Sequence, residues 1–208
     1  PDLSVYEMVA AYSTFANKGV YTKPSFIEKI EDKNGTILFQ SNPEIKDVLS
    51  EEAAYVTVNL LEGVTTAGSG TRLRTVGADD YNRAYQKVVT GYPYEFKTPI
   101  AGKTGTTQNQ SDGWFIGMVP NLVTGVWVGA EDRAIHFEDI AYGQGATMAL
   151  PIWANYMRNI YLDTTLMISK EPFEKPQILN IELDCNKFVI DSTGTGKTTD
   201  QEIQDIDF

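Results

Sequence analysis

The heptapeptide AGKTGTT, at residues 101–107, decides the fold of this 208-residue chain because it begins the part with the clearest strand pattern. Residues 100–107, 113–119 and 125–130 each have the length and composition of a β-strand. A Pro-Asn turn joins the second run to the third, so we expect these strands to pair antiparallel. Because the second and third runs are apolar on both faces, they predict a central sheet with helices above and below it.

The alternation of side chains along a strand divides the heptapeptide into two sets of residues. Lys103, Gly105 and Thr107 are expected on one face, and Thr104 and Thr106 on the other. An ammonium group beside hydroxyls suits an anion, and the missing side chain of glycine lets a ligand backbone lie along the strand as an additional strand. From the local chemistry alone, a solvated edge strand with a turn glycine stays an open alternative.

Helices are predicted on both sides of these strands. Ser4 and Glu7 form a capping-box pattern before an apolar stripe. Ser50 is expected to cap a second helix whose apolar residues recur at helical spacing. A further helix is predicted at residues 148–161, with Pro151 in its first turn, where a missing N–H is tolerated.

The connections carry turn signals. Apolar residues flank Asn34 and Gly35, which predicts a small surface hairpin. Residues 74–98 mix glycine, proline and tyrosine and are expected to form an irregular connection, with a short helix around residues 84–88.

Composition narrows the class of protein. The chain has 42% hydrophobic and 22% charged residues, an ordinary globular balance that excludes a disordered or coiled-coil chain. Its net charge of -11 gives no general attraction for phosphate backbones, so no nucleic-acid partner is expected. Prolines and glycines interrupt the longest uncharged runs, at residues 113–130 and 140–157, so neither is expected to span a membrane.

Metal and cofactor chemistry finds little support in the sequence. One cysteine, Cys185, and one histidine, His136, cannot form an internal disulfide, a cysteine-histidine zinc site or an iron-sulfur cluster. His136 is interpreted as a loop residue after the last strand. The GTGKT sequence at residues 194–198 has Asp191 where a phosphate loop requires glycine. No metal and no cofactor are therefore predicted.

The heptapeptide contains Lys-Thr-Gly, one of three signatures of the penicillin-recognising serine transpeptidases and β-lactamases. The order of several further motifs resembles the transpeptidase domain of class A, bifunctional, penicillin-binding proteins. The resemblance covers roughly residues 1–161 and is carried by residues 6–17, 101–107, 112–115, 126–129 and 151–153.

The resemblance implies an α+β fold, part of the serine β-lactamase/transpeptidase-like fold, in which helices flank a five-stranded antiparallel sheet. Lys103 would lie on the third strand. Lys103 and Thr106 are assigned as catalytic, the lysine by placing positive charge beside the serines and the threonine by giving its backbone N–H to the oxyanion hole.

The resemblance also implies the substrate-binding residues. Thr104 and Thr106 would bind the carboxylate of a donor peptide or a β-lactam, and Gly105 would leave room for it. Thr107 and Trp114 are assigned as further substrate contacts, and stacking is the role considered for Trp114.

Two signatures of the family do not occur in the sequence. No serine stands three residues before a lysine, and Ser-x-Asn is absent as well. In the family both precede the Lys-Thr-Gly strand, so residues 1–161 are expected to be the C-terminal part of a transpeptidase domain, inactive alone and prone to associate through uncovered apolar surface. Residues 162–208, with 10 acids and 4 bases, are expected to form an acidic appendage or tail.

The parent protein implied by the resemblance is a D,D-transpeptidase that cross-links peptidoglycan stem peptides through an acyl-serine and is trapped by β-lactam antibiotics. It would also carry a glycosyltransferase domain and an N-terminal membrane anchor, on the outer face of the cytoplasmic membrane. A non-catalytic module that binds cell-wall peptide is the alternative from another class. A carboxypeptidase or β-lactamase of the same superfamily fits the tryptophan-containing segments less well.

Overall fold

The computed structural model describes residues 3–75, 85, 87, 89, 91–184 and 187. It divides into a main unit, Pro1–Pro176, and a C-terminal unit, Gln177–Phe208. Within the C-terminal unit, Lys187 forms an ion pair with Glu182. The predicted boundary after residue 161 stays a prediction, and Cys185, residues 194–198 and most of the helix predicted at 84–88 lie outside the described residues.

The main unit is α+β, and its helices alternate with short and long strands. In chain order its elements are α1 (Val5–Ala16), β1 (Val20–Thr22), β2 (Lys29–Glu31), β3 (Ile37–Gln40), β4 (Ile45–Asp47), α2 (Glu51–Thr66), β5 (Ala101–Thr106), β6 (Asp112–Val119), β7 (Leu122–Gly129), α3 (Ile140–Gly143) and α4 (Gly145–Leu162). Among the described residues, no helix combines the length and the apolar character needed to cross a membrane.

Strands β5, β6 and β7 form an antiparallel sheet in that order, which confirms the predicted pairing. Strand β7 begins at Leu122, earlier than the predicted residue 125, because a two-residue turn after Val119 already reverses the chain. Strand β6 lies in the middle and is almost wholly buried, as its apolar residues on both faces predict.

Helix α4 covers one face of this sheet. Its Trp153 is fully buried and packs edge-to-face on Phe115, with ring centroids 5.2 Å apart. A Cβ atom on Gly117 would lie 2.5 Å from the Trp153 ring, so this glycine creates the space that the indole fills. Phe115 and Trp153 belong to the larger hydrophobic core.

The start of α4 differs from the prediction. The helix begins at Gly145, three residues before the predicted start, and Pro151 is the seventh residue rather than a first-turn residue. The small residues Gly145 and Ala146 let the first turn approach the sheet closely, and both are buried. Packing against the sheet therefore outweighs the preference of proline for the helix start.

Helices α1 and α2 cover part of the other face. Val58 of α2, Ala101 and Met118 form a smaller core cluster there, to which Tyr12 and Phe15 of α1 add. These helices shield the end of the sheet at Ala101 and leave the opposite end of the same face open.

The helix caps and the hairpin follow the sequence prediction. Ser4 and Glu7 form the capping box of α1, and the Ser50 hydroxyl accepts a hydrogen bond from the backbone of Ala53. Strands β2 and β3 pair antiparallel around the Asn-Gly turn. A second pair, β1 with β4, was not predicted, because each strand is only three residues long.

Candidate active site

The open end of the sheet forms a groove of about 840 Å³. Helix α1 forms one wall, and strands β5, β6 and β7 form the floor. The side chains and backbone along it belong to Leu3, Ser4, Val5, Met8, Tyr12, Lys103, Thr104, Gly105, Thr106, Thr107, Asp112, Trp114, Ile116, Trp127, Ala130, Glu131 and Arg133. The six residues assigned from the sequence all lie along this one groove.

Strand β5 borders the groove because it lies at the side of the sheet. Within the described ranges it pairs with β6 only, so no described strand occupies its other edge. Lys103 pairs in register with Ile116, and its exposed side chain donates a hydrogen bond from Nζ to the carbonyl of Thr104, at 2.9 Å. A cationic group therefore lies at the edge where an extended ligand can add to the sheet.

The hydroxyls of Thr104 and Thr106 each contact an element outside the strand. Thr106 Oγ1 accepts a hydrogen bond from the backbone N–H of Gly145, at 3.0 Å. This N–H belongs to the first residue of α4, so the positive end of the helix dipole lies beside Thr106. Thr104 Oγ1 lies 2.6 Å from the Ser69 hydroxyl oxygen. Thr106 thus lies beside the positive end of a helix, and Thr104 shares a hydrogen bond with Ser69 in which either hydroxyl can be the donor.

Thr107 makes its hydrogen bonds within the turn between β5 and β6. Its hydroxyl donates to Asp112 Oδ2 at 2.9 Å and accepts from the Asp112 backbone N–H at 2.9 Å. The residue Asp112 is 5% exposed, and its carboxylate also accepts a hydrogen bond from the Trp127 indole N–H at 3.0 Å. A substrate contact through the Thr107 hydroxyl would compete with these bonds, and the assignment of Thr107 as a substrate contact stays a prediction.

Two tryptophans line the groove beyond the lysine. Trp114 and Trp127 are register partners on β6 and β7, with ring centroids 6.4 Å apart. Gly105 lies directly opposite Trp114, and a Cβ atom at residue 105 would come within 3.1 Å of the Trp114 Cβ. The glycine therefore gives clearance to the tryptophan, and its assigned role toward a ligand along β5 stays a prediction.

Sequence reasoning missed two contributors to this site. Ser69 has no local motif that marks it, and it reaches Thr104 only through the fold. Asp112 stands within a recognised motif, yet its role in fixing Thr107 and Trp127 depends on one partner in the β5–β6 turn and another on β7. His136 is exposed in the loop after β7, as interpreted from the sequence. The described residues contain no group of three His, Cys, Asp or Glu side chains placed to hold a metal ion.

A helix-flanked antiparallel sheet with Lys-Thr-Gly on a side strand beside a groove defines a domain of the serine β-lactamase/transpeptidase-like class. The family model described as "Penicillin binding protein transpeptidase domain" matches residues 2–158. This chain belongs to that family.

Individual relatives agree with this placement. The chain is 35% identical to penicillin-binding protein 1A of Aquifex aeolicus over 175 residues, which are 84% of this chain and 20% of that protein. The chain therefore spans about a fifth of the length of this curated relative.

Solved structures are similar as well. Penicillin-binding protein 1A of Haemophilus influenzae has a TM-score of 0.60 and 25% identity, over 86% of this chain and 28% of that chain. The PonA1 protein of Mycobacterium tuberculosis, solved in complex with penicillin V, has a TM-score of 0.59 and 25% identity, over 84% of this chain and 42% of that chain.

Proposed function

We propose that this chain forms one wall of the active site of a peptidoglycan D,D-transpeptidase. The observation that carries the proposal is the placement of Lys103, Thr104 and Thr106 on a strand whose edge borders an 840 Å³ groove. Membership in the transpeptidase family supports the same reaction. The nucleophilic serine and its base would come from residues outside this sequence.

In the proposed complex, the donor stem peptide lies along β5 as an additional strand. Its terminal carboxylate binds the hydroxyls of Thr104 and Thr106, beside the N-terminus of α4. The backbone N–H of Thr106 donates to the carbonyl oxygen on which negative charge develops, and Lys103 supplies positive charge nearby.

The proposed chemistry is acyl transfer. The serine hydroxyl attacks the carbonyl of the donor peptide, its proton passes through a base to the leaving D-alanine amine, and the C–N bond breaks. An amine of a second stem peptide then attacks the acyl ester and forms the amide cross-link. The ester C–O bond breaks, and a proton of the amine passes through the base to the serine oxygen, which restores the hydroxyl. A β-lactam carboxylate and carbonyl would occupy the same two places. That a similar structure, the PonA1 protein, was solved in complex with penicillin V supports a β-lactam as ligand.

Labelling with a fluorescent penicillin tests the proposal. The longest in-frame polypeptide that contains this sequence, with its Ser-x-x-Lys and Ser-x-Asn segments, is compared with the 208-residue chain. We expect covalent labelling of the longer polypeptide only, and Lys103→Ala is expected to slow it at least tenfold. Lys33→Ala, which changes an exposed lysine in the β2–β3 hairpin, is the matched control and is expected to label normally.

A non-catalytic module that binds cell-wall peptide is the second candidate. The absence of Ser-x-x-Lys and Ser-x-Asn from the 208 residues favours it. If the longer polypeptide binds soluble stem peptide but is never acylated by penicillin, this second function replaces the first. Rapid turnover of the penicillin would instead argue for a hydrolase.

The proposal extends to a second enzymatic domain and a membrane anchor in the whole protein. The chain covers 20% of the curated relative, which supports a larger protein. In that protein we propose a peptidoglycan glycosyltransferase domain and an anchor at the outer face of the cytoplasmic membrane, as the resemblance implies. Glycan-strand synthesis from a lipid-linked disaccharide, assayed with the longer polypeptide in membranes, tests both features. Activity confined to a soluble fraction would contradict the anchor.

A further inference from the structure

The turn after α2 brings a serine to the anion-binding threonines. Gly68 and Gly70 both donate backbone hydrogen bonds to the carbonyl of Val64, at 3.2 and 2.9 Å, and so fold residues 68–72 back against the end of α2. We call these residues the 68–72 turn. The fold places the Ser69 hydroxyl 2.6 Å from that of Thr104, although the two residues are 35 positions apart in the sequence.

A second bond ties the same turn to helix α4. Arg72 donates from Nη1 to the hydroxyl of Thr147, at 3.1 Å, in the first turn of that helix. The first N–H of α4 donates to Thr106 Oγ1. Strand β5, the 68–72 turn and α4 thus form a closed ring of three side-chain contacts, and this ring holds both threonine hydroxyls in place.

We propose that Ser69 is a positioning residue for the carboxylate of the ligand, an inference that rests on the proposed transpeptidase function. A hydroxyl has one hydrogen to donate. If Ser69 donates to Thr104, the Thr104 hydrogen is free for an anion; if Thr104 donates to Ser69, the Ser69 hydrogen is free. Thr104 lines the groove, so its O–H is oriented there when Ser69 is the donor, and the proposal takes this direction.

The benefit of this pair depends on the charge of the ligand. A hydrogen bond to an ionised group is about twice as strong as one between neutral groups. Loss of the Ser69 hydroxyl should therefore affect ligands that carry a free carboxylate more than ligands in which that group is neutral. A residue that merely supported the fold would affect both equally.

The test measures the second-order rate of acylation of the longer polypeptide by penicillin G and by its methyl ester. We expect Ser69→Ala to slow acylation by penicillin G about two- to tenfold, the loss of one hydrogen bond, and to slow acylation by the ester less. Ser69→Thr is expected to keep the wild-type rate. Ser69→Val has the shape of the threonine variant but lacks the hydroxyl, and it should behave like Ser69→Ala.

Ser41→Ala is the matched control, because Ser41 makes a hydroxyl–hydroxyl contact of 3.3 Å with Ser25, on exposed residues before β4. It is expected to leave both rates unchanged. Equal slowing by the acid and the ester, or a wild-type rate in Ser69→Val, would overturn the role of Ser69 while leaving the transpeptidase function intact. A wild-type polypeptide that neither reagent acylates would overturn both.

Discussion

At the scale of single residues, the groove depends on hydroxyls and carboxylates that already have protein partners. Thr106 accepts a hydrogen bond from the start of α4, and its O–H remains available as a donor. Asp112 instead gathers donors from Thr107 and Trp127 and is buried by them. The first residue keeps a donor for the proposed ligand, and the second holds the turn between β5 and β6.

Replacement of Thr106 by valine removes a donor to the ligand and an acceptor for Gly145. We expect Thr106→Val to reduce acylation by penicillin at least tenfold and to lower the free energy of unfolding by about 1 kcal/mol. Thr106→Ser should preserve both quantities, because the hydroxyl remains. Stopped-flow labelling and urea denaturation measure the two effects, and a valine variant that is acylated at the wild-type rate would contradict the assignment of Thr106.

Glu62 of α2 gives a prediction about pH. Burial raises the pKa of its carboxyl, and the positive charge of Arg74 opposes this only in part. The ionised form therefore costs folding free energy at neutral pH, and the cost disappears as pH falls through the raised pKa toward the unfolded value of about 4.3.

We therefore expect Glu62→Gln to be more stable than the wild type at pH 7 and equally stable near pH 4. Urea denaturation of the dilute 208-residue chain across this range measures the difference. Lys33→Ala changes a lysine that has no part in the interaction between Glu62 and Arg74. Its stability should differ from that of the wild type by the same amount at both pH values. A Glu62→Gln advantage that grows as pH falls would reverse the expected sign.

At the scale of secondary structure, the position of α4 determines the surroundings of Thr106, a residue of the proposed anion site. The helix lies close enough to β6 for Trp153 to fill the space above Gly117 and for its first N–H to reach Thr106. The same close packing places Pro151 inside the helix. One contact surface thus explains both the helix start and the orientation of a site residue.

Two glycine-to-alanine substitutions should have opposite effects on stability. In Gly117→Ala the added methyl group would clash with the Trp153 ring. This substitution is expected to lower the free energy of unfolding by about 1–3 kcal/mol. Gly63→Ala lies in helix α2, where a Cβ atom would meet nothing within 4 Å, and should raise that energy by about 0.5–1 kcal/mol. Thermal and urea unfolding measure the change in the free energy of unfolding of both variants. If Gly117→Ala is as stable as the wild type, α4 can move away from the sheet without a cost in stability.

At the scale of the whole molecule, the main unit combines a well-packed sheet with exposed apolar side chains. Trp153 and Phe115 are fully buried, whereas Trp127 in the groove is 39% exposed and Phe26 near the hairpin 88% exposed. A large apolar ring that stays in contact with water favours association with another surface.

The 208-residue chain is therefore expected to self-associate in solution, as its sequence also predicts. Sedimentation velocity over a hundredfold range of concentration should show a sedimentation coefficient that rises with concentration. The longer polypeptide, in which further chain can cover the groove, should show less dependence. A strictly monomeric 208-residue chain at all concentrations would contradict this expectation.

The sequence by itself determined the local structure and the family. The capping box of α1, the hairpin around Asn34 and Gly35, and the three central strands depend on residues close together in the chain, whose preferences can be read in order. The Lys-Thr-Gly strand and the motifs around it identified the family for the same reason, since each motif is a short run of neighbours.

Only the tertiary structure decided how the groove is supported. Ser69 meets Thr104, Gly145 meets Thr106, and Trp127 meets Asp112, and each pair joins residues that are 15 or more positions apart. The sequence does not fix such contacts locally, because a side chain's partner depends on which helix packs on which face of the sheet. The early start of α4 follows from the same packing, which outweighs the local preference of its proline.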